Sequence, residues 1–406
     1  MTGESFGIGF DSCGFITQYS HIPSVEYLPG VHVAGIRNRT RETAEEQAER
    51  CREEGWGDPS VYGEDELVAL IEDPDVDGLW VTGPNFLRVE VIEAAMDAVE
   101  DGADLAGIAI EKPLARNLAE AERIIDRIDA AGVPAAYLEN WAHEPTLREA
   151  RELLWERGRP SGRPYIARSR AEHGGPHSGW FWDGRRQGGG ALTDMLCHAL
   201  AGNEVLLSDP AGELPPLEAT RVDANAETLK WGRPEYAEQL REEYGVDYEE
   251  HPADDYARAT VTYETAEGTR LMSEASGSWC YVGAGVSRSI ELLGPEYSGR
   301  VMTDESAESV FFSDAATEGE GWLEKQTASS GRMPVGGASS VNSGFVAENR
   351  DATDAFANGE DGMLDLGFGY GILELCMGAY KAAEEERTMT LGDPSLVEYV
   401  PPPARH

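Results

Sequence analysis

The stretch Leu105-Ala106-Gly107-Ile108-Ala109-Ile110-Glu111-Lys112-Pro113-Leu114-Ala115 is an apolar run that stops at a charged pair and a proline. Such a run, with no polar alternation, suits a strand buried on both faces. Just beyond it, Leu118–Ala131 carries apolar residues at helical spacing, and Gly132 stands where a C-cap glycine belongs. A buried strand feeding an amphipathic helix is half of a βαβ unit. The same unit recurs outward from this point. Phe6–Phe10, Val31–Ile36, Asp77–Thr82 and Val133–Leu138 read as further strands. Thr40–Glu54, with Thr40 as N-cap and Glu42 and Glu45 in its first turns, reads as a helix, as does Val89–Val99. Residues 1–140 are therefore predicted to form a doubly wound α/β domain around a parallel sheet.

The pattern changes after residue 140. Pro145–Glu156 and Ala191–Leu207 read as helices, and residues 159–190 as strand and loop. Strand-like runs at Ala257–Tyr263, Arg270–Ser276 and Ser287–Leu293 are separated by turn residues. Residues 315–343 are Gly/Ser-rich and read as a long loop, and helices return at 346–357 and 364–385. Residues 141–406 are predicted to form a C-terminal α+β domain with an open, mainly antiparallel sheet.

Composition narrows the function classes. The 406 residues include 75 Asp plus Glu and 33 Lys plus Arg, a formal net charge of -42. That charge repels nucleic-acid phosphates and anionic lipid, so neither is an expected partner. No apolar run approaches the ~20 residues of a membrane span. Lysine occurs only at positions 112, 230, 325 and 381. Carboxylate spread along the whole chain with almost no lysine resembles proteins of salt-accumulating halophiles, where molar salt screens self-repulsion. Five cysteines, an odd number with no CxxC, argue for reduced thiols in a cytoplasm. Met1–Phe10 has neither a basic segment nor a long apolar one, so no signal peptide is expected.

The turn after the first strand is Ser12-Cys13-Gly14-Phe15-Ile16-Thr17. Set against G-x-G-x-x-G, the glycine pattern of a Rossmann dinucleotide site, only the middle glycine, Gly14, survives. That glycine lets the backbone approach a pyrophosphate at a helix N-terminus. The second strand ends Arg37-Asn38-Arg39-Thr40. NAD-binding folds place an acid there to hold the ribose 2′-OH. Asn38 among arginines points instead to a 2′-phosphate, with Arg39 the residue expected to reach it, and so to NADP in preference to NAD. Thr82, Pro84 and Asn85 at the third strand's end, and Glu111 and Lys112 at the fourth, lie where ligands of open α/β sheets bind. In Gly188-Gly189-Gly190-Ala191-Leu192-Thr193-Asp194-Met195-Leu196-Cys197-His198, Asp194 and His198 are one helical turn apart. A carboxylate, an imidazole and a lysine aimed at one pocket can manage a proton during alcohol oxidation.

Taken together, DPDVDGLWVTGPNFL, EKPLARNLAEAERI and GGGALTDMLCHAL resemble the Gfo/Idh/MocA oxidoreductases, and the likeness extends through Glu348–Gly359 and Leu373–Ala383. The resemblance implies a Rossmann domain joined to an α/β domain whose open sheet makes oligomer contacts, hence a dimer or tetramer. It implies hydride transfer between NAD(P) and a carbinol of a sugar, polyol or sugar acid. It assigns Lys112, Asp194 and His198 as catalytic, a cis Lys112-Pro113 bond, and Asn140 near the nicotinamide. Ser12 and Thr17 depart from the family's glycine pattern, and Asn38 from its acid.

The segment Glu172–Asp183 holds His173, His177, Trp180 and Trp182 just before the catalytic helix. Rings and polar edges in that order suit a carbohydrate pocket; a packed aromatic loop fits the pattern equally. No metal is expected, because His173-x-x-x-His177 has no third ligand nearby. Two alternatives stand beside the dehydrogenase reading. One is glycoside cleavage through transient cofactor oxidation, and the other is a non-catalytic nucleotide sensor.

Overall fold

A computed structural model describes residues 5–250, 252–283, 285–302, 309–312, 331–334 and 344–405. The described residues fall into two compact units. The first draws on 1–115, 119–145 and 339–371, the second on 116–118, 146–338 and 372–406.

The first unit is built on a six-stranded parallel sheet. Its strands are β1 (Phe6–Phe10), β2 (Val31–Arg37), β3 (Ser60–Tyr62), β4 (Gly78–Val81), β5 (Gly107–Glu111) and β6 (Ala135–Leu138), in the order β3-β2-β1-β4-β5-β6. Every residue of β4, β5 and β6 is buried, as a sheet covered on both faces requires. The helix Leu118–Ala131 buries Leu118, Ala121, Ile124 and Ile128 and leaves its acids outside. Gly132 follows it in the left-handed conformation, φ 68°. The strand order reverses between β1 and β4, which places the ligand crevice at their carboxyl ends. Strand β3 is too short to show a period in the sequence.

The helix Phe345–Ala357 belongs to this unit, although a division at residue 140 assigns it to the other. Its Phe356 ring fills the slot left by Gly107, where a Cβ would meet the ring at 2.1 Å. Trp80 stacks edge-on against the same ring at 5.9 Å. Chain order cannot show that the core of β4 and β5 is completed by a helix more than two hundred residues on.

In the second unit, β7 (Ile166–Glu172), β8 (Glu218–Glu227), β9 (Tyr256–Glu264), β10 (Arg270–Ser278), β11 (Ser287–Leu293) and β12 (Ser298–Met302) form one sheet. Strands β13 (Ser309–Phe312) and β14 (Gly331–Pro334) form a separate antiparallel pair, and β15 (Met389–Thr390) closes the list. The large sheet runs β12-β11-β7-β10-β9-β8-β15 and is antiparallel except between β7 and β10. Strand β9 buries Ala257, Ala259, Val261 and Tyr263 on one face only, the alternation of a half-covered sheet. The helix Cys197–Leu207 lies on that covered face. Buried Asn203 ties it down, accepting from Ser169 Oγ at 2.5 Å and donating to Ser273 Oγ at 2.9 Å. Most of the loop expected at 315–343 lies outside the described residues; the part described, 331–334, is β14. Among the described residues no helix is long and apolar enough to cross a membrane.

Candidate active site

In the first unit, buried Asp11 follows β1 and leads into the turn Ser12–Thr17. Gly14 is exposed, and a Cβ built there would meet nothing within 4 Å. The backbone is therefore open to a close-approaching group. Ser12, Phe15 and Ile16 are half-buried beside it. Thr17, in place of the third glycine, is fully buried, and its Oγ1 lies 2.8 Å from Thr82 Oγ1. The substitution thus bonds the helical start to the end of β4. The residues after it, Thr17–His21, wind as a π-turn.

Asp11 and Arg88 hold this crevice together, and neither stands out by motif. Asp11 Oδ1 accepts from the backbone N–H of Thr82 at 2.7 Å and of Gly83 at 3.1 Å. Burial pushes its carboxyl above the usual range, and those N–H groups with Arg37 and Arg88 pull it back. Arg88 is 2% exposed and donates to the carbonyls of Pro113 and Gly83. One guanidinium therefore links the end of β4, with Thr82, Pro84 and Asn85, to the end of β5, with Glu111 and Lys112. The Lys112–Pro113 bond is cis. The available signal for Arg88 is its place at the start of the helix Arg88–Glu100, where the helix dipole disfavours a cation.

Asn38 joins strand end to turn. Its Oδ1 accepts from Cys13 N at 3.2 Å, and its Nδ2 donates to Thr40 O at 3.0 Å. Of the neighbouring arginines, Arg37 donates to the carbonyls of Asp11 and Glu64, and Arg41 pairs with Glu45 and Glu66. Arg39 is exposed and makes no hydrogen bond or ion pair with any described residue. An open glycine, a neutral strand-end side chain bound to the turn and one unengaged guanidinium fit a dinucleotide. Asn140 follows β6 and is 9% exposed.

In the second unit the glycine turn Gly188–Gly190 starts the segment that carries Asp194 and His198. Gly188 and Gly189 have φ of 93° and 154°, backbone that favours glycine. Asp254 and Tyr380 clamp the turn. Gly190 N donates to Tyr380 Oη at 2.7 Å, Tyr380 Oη donates to Asp254 Oδ1 at 2.7 Å, and Leu192 N donates to Asp254 Oδ2 at 2.7 Å. The single helix expected over Ala191–Leu207 is a π-turn, Leu192–Leu196, followed by the α-helix Cys197–Leu207. The clamped start and the close approach to β10, where a Cβ on Gly277 would meet Leu196 N at 2.5 Å, leave this first turn wider than an α-turn.

Asp194 and His198 are both buried, at 4% and 6% exposure. Asp194 Oδ2 accepts from Trp279 Nε1 at 2.9 Å and from His173 Nε2 at 3.1 Å. His173 Nδ1 accepts from Gly175 N at 3.0 Å, so its ring proton sits on Nε2 and points at the carboxylate. His173 is thus a partner of Asp194, a role sequence did not suggest, and so is Trp279. Trp182, expected in a sugar pocket, is 1% exposed and packs against Trp231, Tyr248 and Trp279. Its indole is core and supports Trp279 from behind. Trp180 stacks on Phe181 at 3.8 Å, and it and His177 are half-exposed. Lys112 stands in the first unit, Asp194 and His198 in the second.

Two family models cover most of the chain. "Oxidoreductase family, NAD-binding Rossmann fold" matches residues 7–137, and "GFO/IDH/MocA C-terminal domain" matches residues 148–296. The chain belongs to the Gfo/Idh/MocA oxidoreductase family. A 1,5-anhydro-D-fructose reductase of Ensifer adhaerens is 32% identical over 192 residues, 47% of this chain and 53% of that protein. The chain thus matches about half the length of that relative. Among solved structures, a levoglucosan dehydrogenase complexed with NADH aligns with TM-score 0.70 at 20% identity, covering 96% of this chain and 99% of that one. The myo-inositol dehydrogenase of Lactobacillus casei aligns with TM-score 0.65 at 19% identity, covering 97% and 100%. At these identities the two structures share the fold with this Gfo/Idh/MocA chain.

Proposed function

We propose that this chain is an NADP-preferring dehydrogenase acting on a carbinol of a sugar, polyol or sugar acid. The observation that carries the reading is the buried Asp194 carboxylate. Two N–H donors hold it one helical turn before a buried imidazole, on a segment clamped at its glycine start. A fixed carboxylate beside an imidazole is equipment for moving a proton. The relatives' names, a reductase and dehydrogenases of anhydrosugars and inositol, support the substrate class.

The nicotinamide supplies or accepts the hydride. His198 takes the hydroxyl proton as the carbinol is oxidised, and Lys112 polarises the same oxygen with its ammonium. Asp194 orients His198 and balances the positive charge that develops as the proton is taken. Gly14 with the N–H groups of its turn holds the pyrophosphate, and Ser12, Phe15 and Ile16 line it. Asn38, Arg39 and Thr40 take the adenosine ribose and its 2′-phosphate. Thr82, Pro84, Asn85, Glu111 and Asn140 border the nicotinamide end. His177 and Trp180 serve the sugar directly, whereas His173 serves it through Asp194. The working form is a cytoplasmic dimer or tetramer in a salt-rich cell, with no membrane or nucleic-acid partner.

The test is a screen of sugars, uronates and inositols with NADP and NAD in molar KCl. Net NADPH formation with one substrate class supports the proposal. Glycoside cleavage without net cofactor change, or cofactor binding without turnover, replaces it. Thermal melts across KCl concentration test the salt assignment, because a net charge of -42 should lower Tm as salt is withdrawn. A Tm independent of salt overturns it.

A further inference from the structure

His21, Glu111 and Glu348 converge from the π-turn after the phosphate loop, the end of β5 and the helix Phe345–Ala357, all within the first unit. All three are buried, at 0%, 7% and 1% exposure, and one ligand atom of each lies within 4.8 Å of the other two. Phe345 and Phe10 flank the imidazole at ring distances of 5.2 and 6.5 Å, so the surroundings are apolar.

Donor and acceptor accounting shows what this cluster lacks. Trp80 Nε1 donates to Asn349 Oδ1 at 2.8 Å, and Asn349 Nδ2 donates to Ser24 Oγ at 2.7 Å, which fixes the amide's orientation. Asn349 Oδ1 is therefore an acceptor, and His21 Nδ1, 3.2 Å away, must carry the proton it receives. In a neutral ring that leaves a lone pair on Nε2, facing Glu111 Oε1 at 3.0 Å. Lone pair against carboxylate is repulsive unless something positive lies between. A proton there would satisfy Nε2 and Glu111 but leave Glu348 as it stands. Both Glu348 oxygens are buried without a hydrogen-bond partner, and Oε1 is 3.9 Å from His21 Nδ1. A buried carboxyl left this way costs of the order of several kcal/mol.

We propose that His21 Nε2, Glu111 and Glu348 bind one divalent transition-metal ion of zinc-like character. A ligating histidine usually donates its other N–H to an outer carbonyl, and Nδ1–H to Asn349 is that bond. One imidazole with two carboxylates suits zinc better than calcium or magnesium. Zinc–ligand bonds of about 2.0–2.2 Å place neighbouring donors roughly 3–3.5 Å apart. The Nε2–Glu111 pair already has that spacing, and Glu348, whose Oε1 stands 3.9 Å from Nδ1, would have to swing toward Nε2 to complete the set. The ion would pin the helix Phe345–Ala357 and the phosphate turn to the end of β5, next to Lys112. It replaces a shared proton and takes part in no hydride step. The expectation of no metal considered only His173 and His177; these ligands stand at positions 21, 111 and 348 and form no sequence motif.

The probe is zinc alone, added to chelator-stripped, full-length protein in molar KCl. Wild type should retain about one zinc per chain after desalting, with a raised Tm. Glu348→Gln, nearly isosteric, should retain none and show a Tm indifferent to zinc. Equal retention in both means binding by surface acids only and overturns the proposal. So does no retention in wild type, which leaves a proton between His21 and Glu111. If Glu348→Gln does not fold, a zinc-edge anomalous map of the loaded wild type decides. A peak between the three side chains is expected, and no peak there overturns the site.

Discussion

Two glycine turns stand at the heads of the two units' functional segments, and they keep glycine for opposite reasons. At Gly14 a Cβ would meet nothing within 4 Å. At Gly188, Gly189 and Gly190 it would meet Arg116 Cα at 2.7 Å, Tyr380 Oη at 2.2 Å and Asp254 O at 2.3 Å. The first turn leaves room for something that is not protein. The second has its room filled by the protein itself. The degraded motif around Gly14 therefore retains the one glycine that a bound pyrophosphate requires, and Thr17 is free to become a bonded core residue. The intact glycine triplet is a packing device that aims Asp194 and His198.

The sharpest way to break this comparison is to ask whether both units deliver chemistry. Lys112→Ala in the first unit and His198→Ala in the second should each lower turnover roughly 100-fold or more, the scale of lost acid–base assistance. Cofactor should still bind, by fluorescence titration. Near-normal turnover in either variant means that the residue replaced is not catalytic.

A smaller effect separates the turns by stability. Gly190→Ala drives a methyl into the Asp254 backbone and should cost about 2–3 kcal/mol, as overpacking does. Gly14→Ala should change stability by less than about 0.5 kcal/mol and weaken cofactor binding instead. Denaturant melts of both, with and without NADP, check the pair. A stable Gly190→Ala, or a destabilised Gly14→Ala, reverses the assignment.

The clamp on the second turn should also be visible in pH. Burial lifts Asp254 from 3.8 to about 6, against the hydrogen bonds from Tyr380 and Leu192. The folded chain thus holds this proton more tightly than the unfolded chain does. The resulting stabilisation is complete below the unfolded value and is lost as pH rises through about 6. Asp254→Asn removes this part of the slope, about 3 kcal/mol. Tm profiles from pH 4 to pH 7 that stay parallel for wild type and variant would show that Asp254 does not titrate there.

The turns also differ in how legible they were. The first unit's strands showed as unbroken apolar runs because both faces of β4, β5 and β6 are buried. Lys112 and Asn38 could be placed because they follow those runs directly. Asp11 and Arg88 could not, since their partners are backbone groups contributed by neighbouring strands. In the second unit β8 went unread because Glu218–Glu227 buries only Val222 and otherwise sets small alanines among polar and charged residues. The glycine triplet and its helix were plain, but Asp254, Trp279 and Tyr380 come from far along the chain and meet the site only through the fold. Trp182 misled because an aromatic in a carbohydrate pocket and one in the core have the same sequence signature.

The smallest effect concerns the first turn's neighbour and its choice of cofactor. Three arginines follow one another at alternate positions, yet only Arg39 has its guanidinium uncommitted among the described residues. Arg37 is held by two carbonyls and Arg41 by two carboxylates, so removing either disturbs the strand end itself. Arg39→Ala should therefore leave Tm unchanged and lower the NADP-to-NAD ratio of kcat/KM by roughly fivefold, a modest share of a charge-assisted bond. Asn38→Asp puts a negative charge on a side chain that still accepts from Cys13 N but no longer donates to Thr40 O. Repulsion of the 2′-phosphate should then lower the same ratio by roughly tenfold. At molar salt the screening length falls to about 3 Å, so both effects should shrink between low and high KCl, the charge introduced at residue 38 more than the direct contact from Arg39. A wild type that favours NAD, or an Asn38→Asp variant with an unchanged ratio at every salt concentration, would show that this strand end does not read the 2′ position.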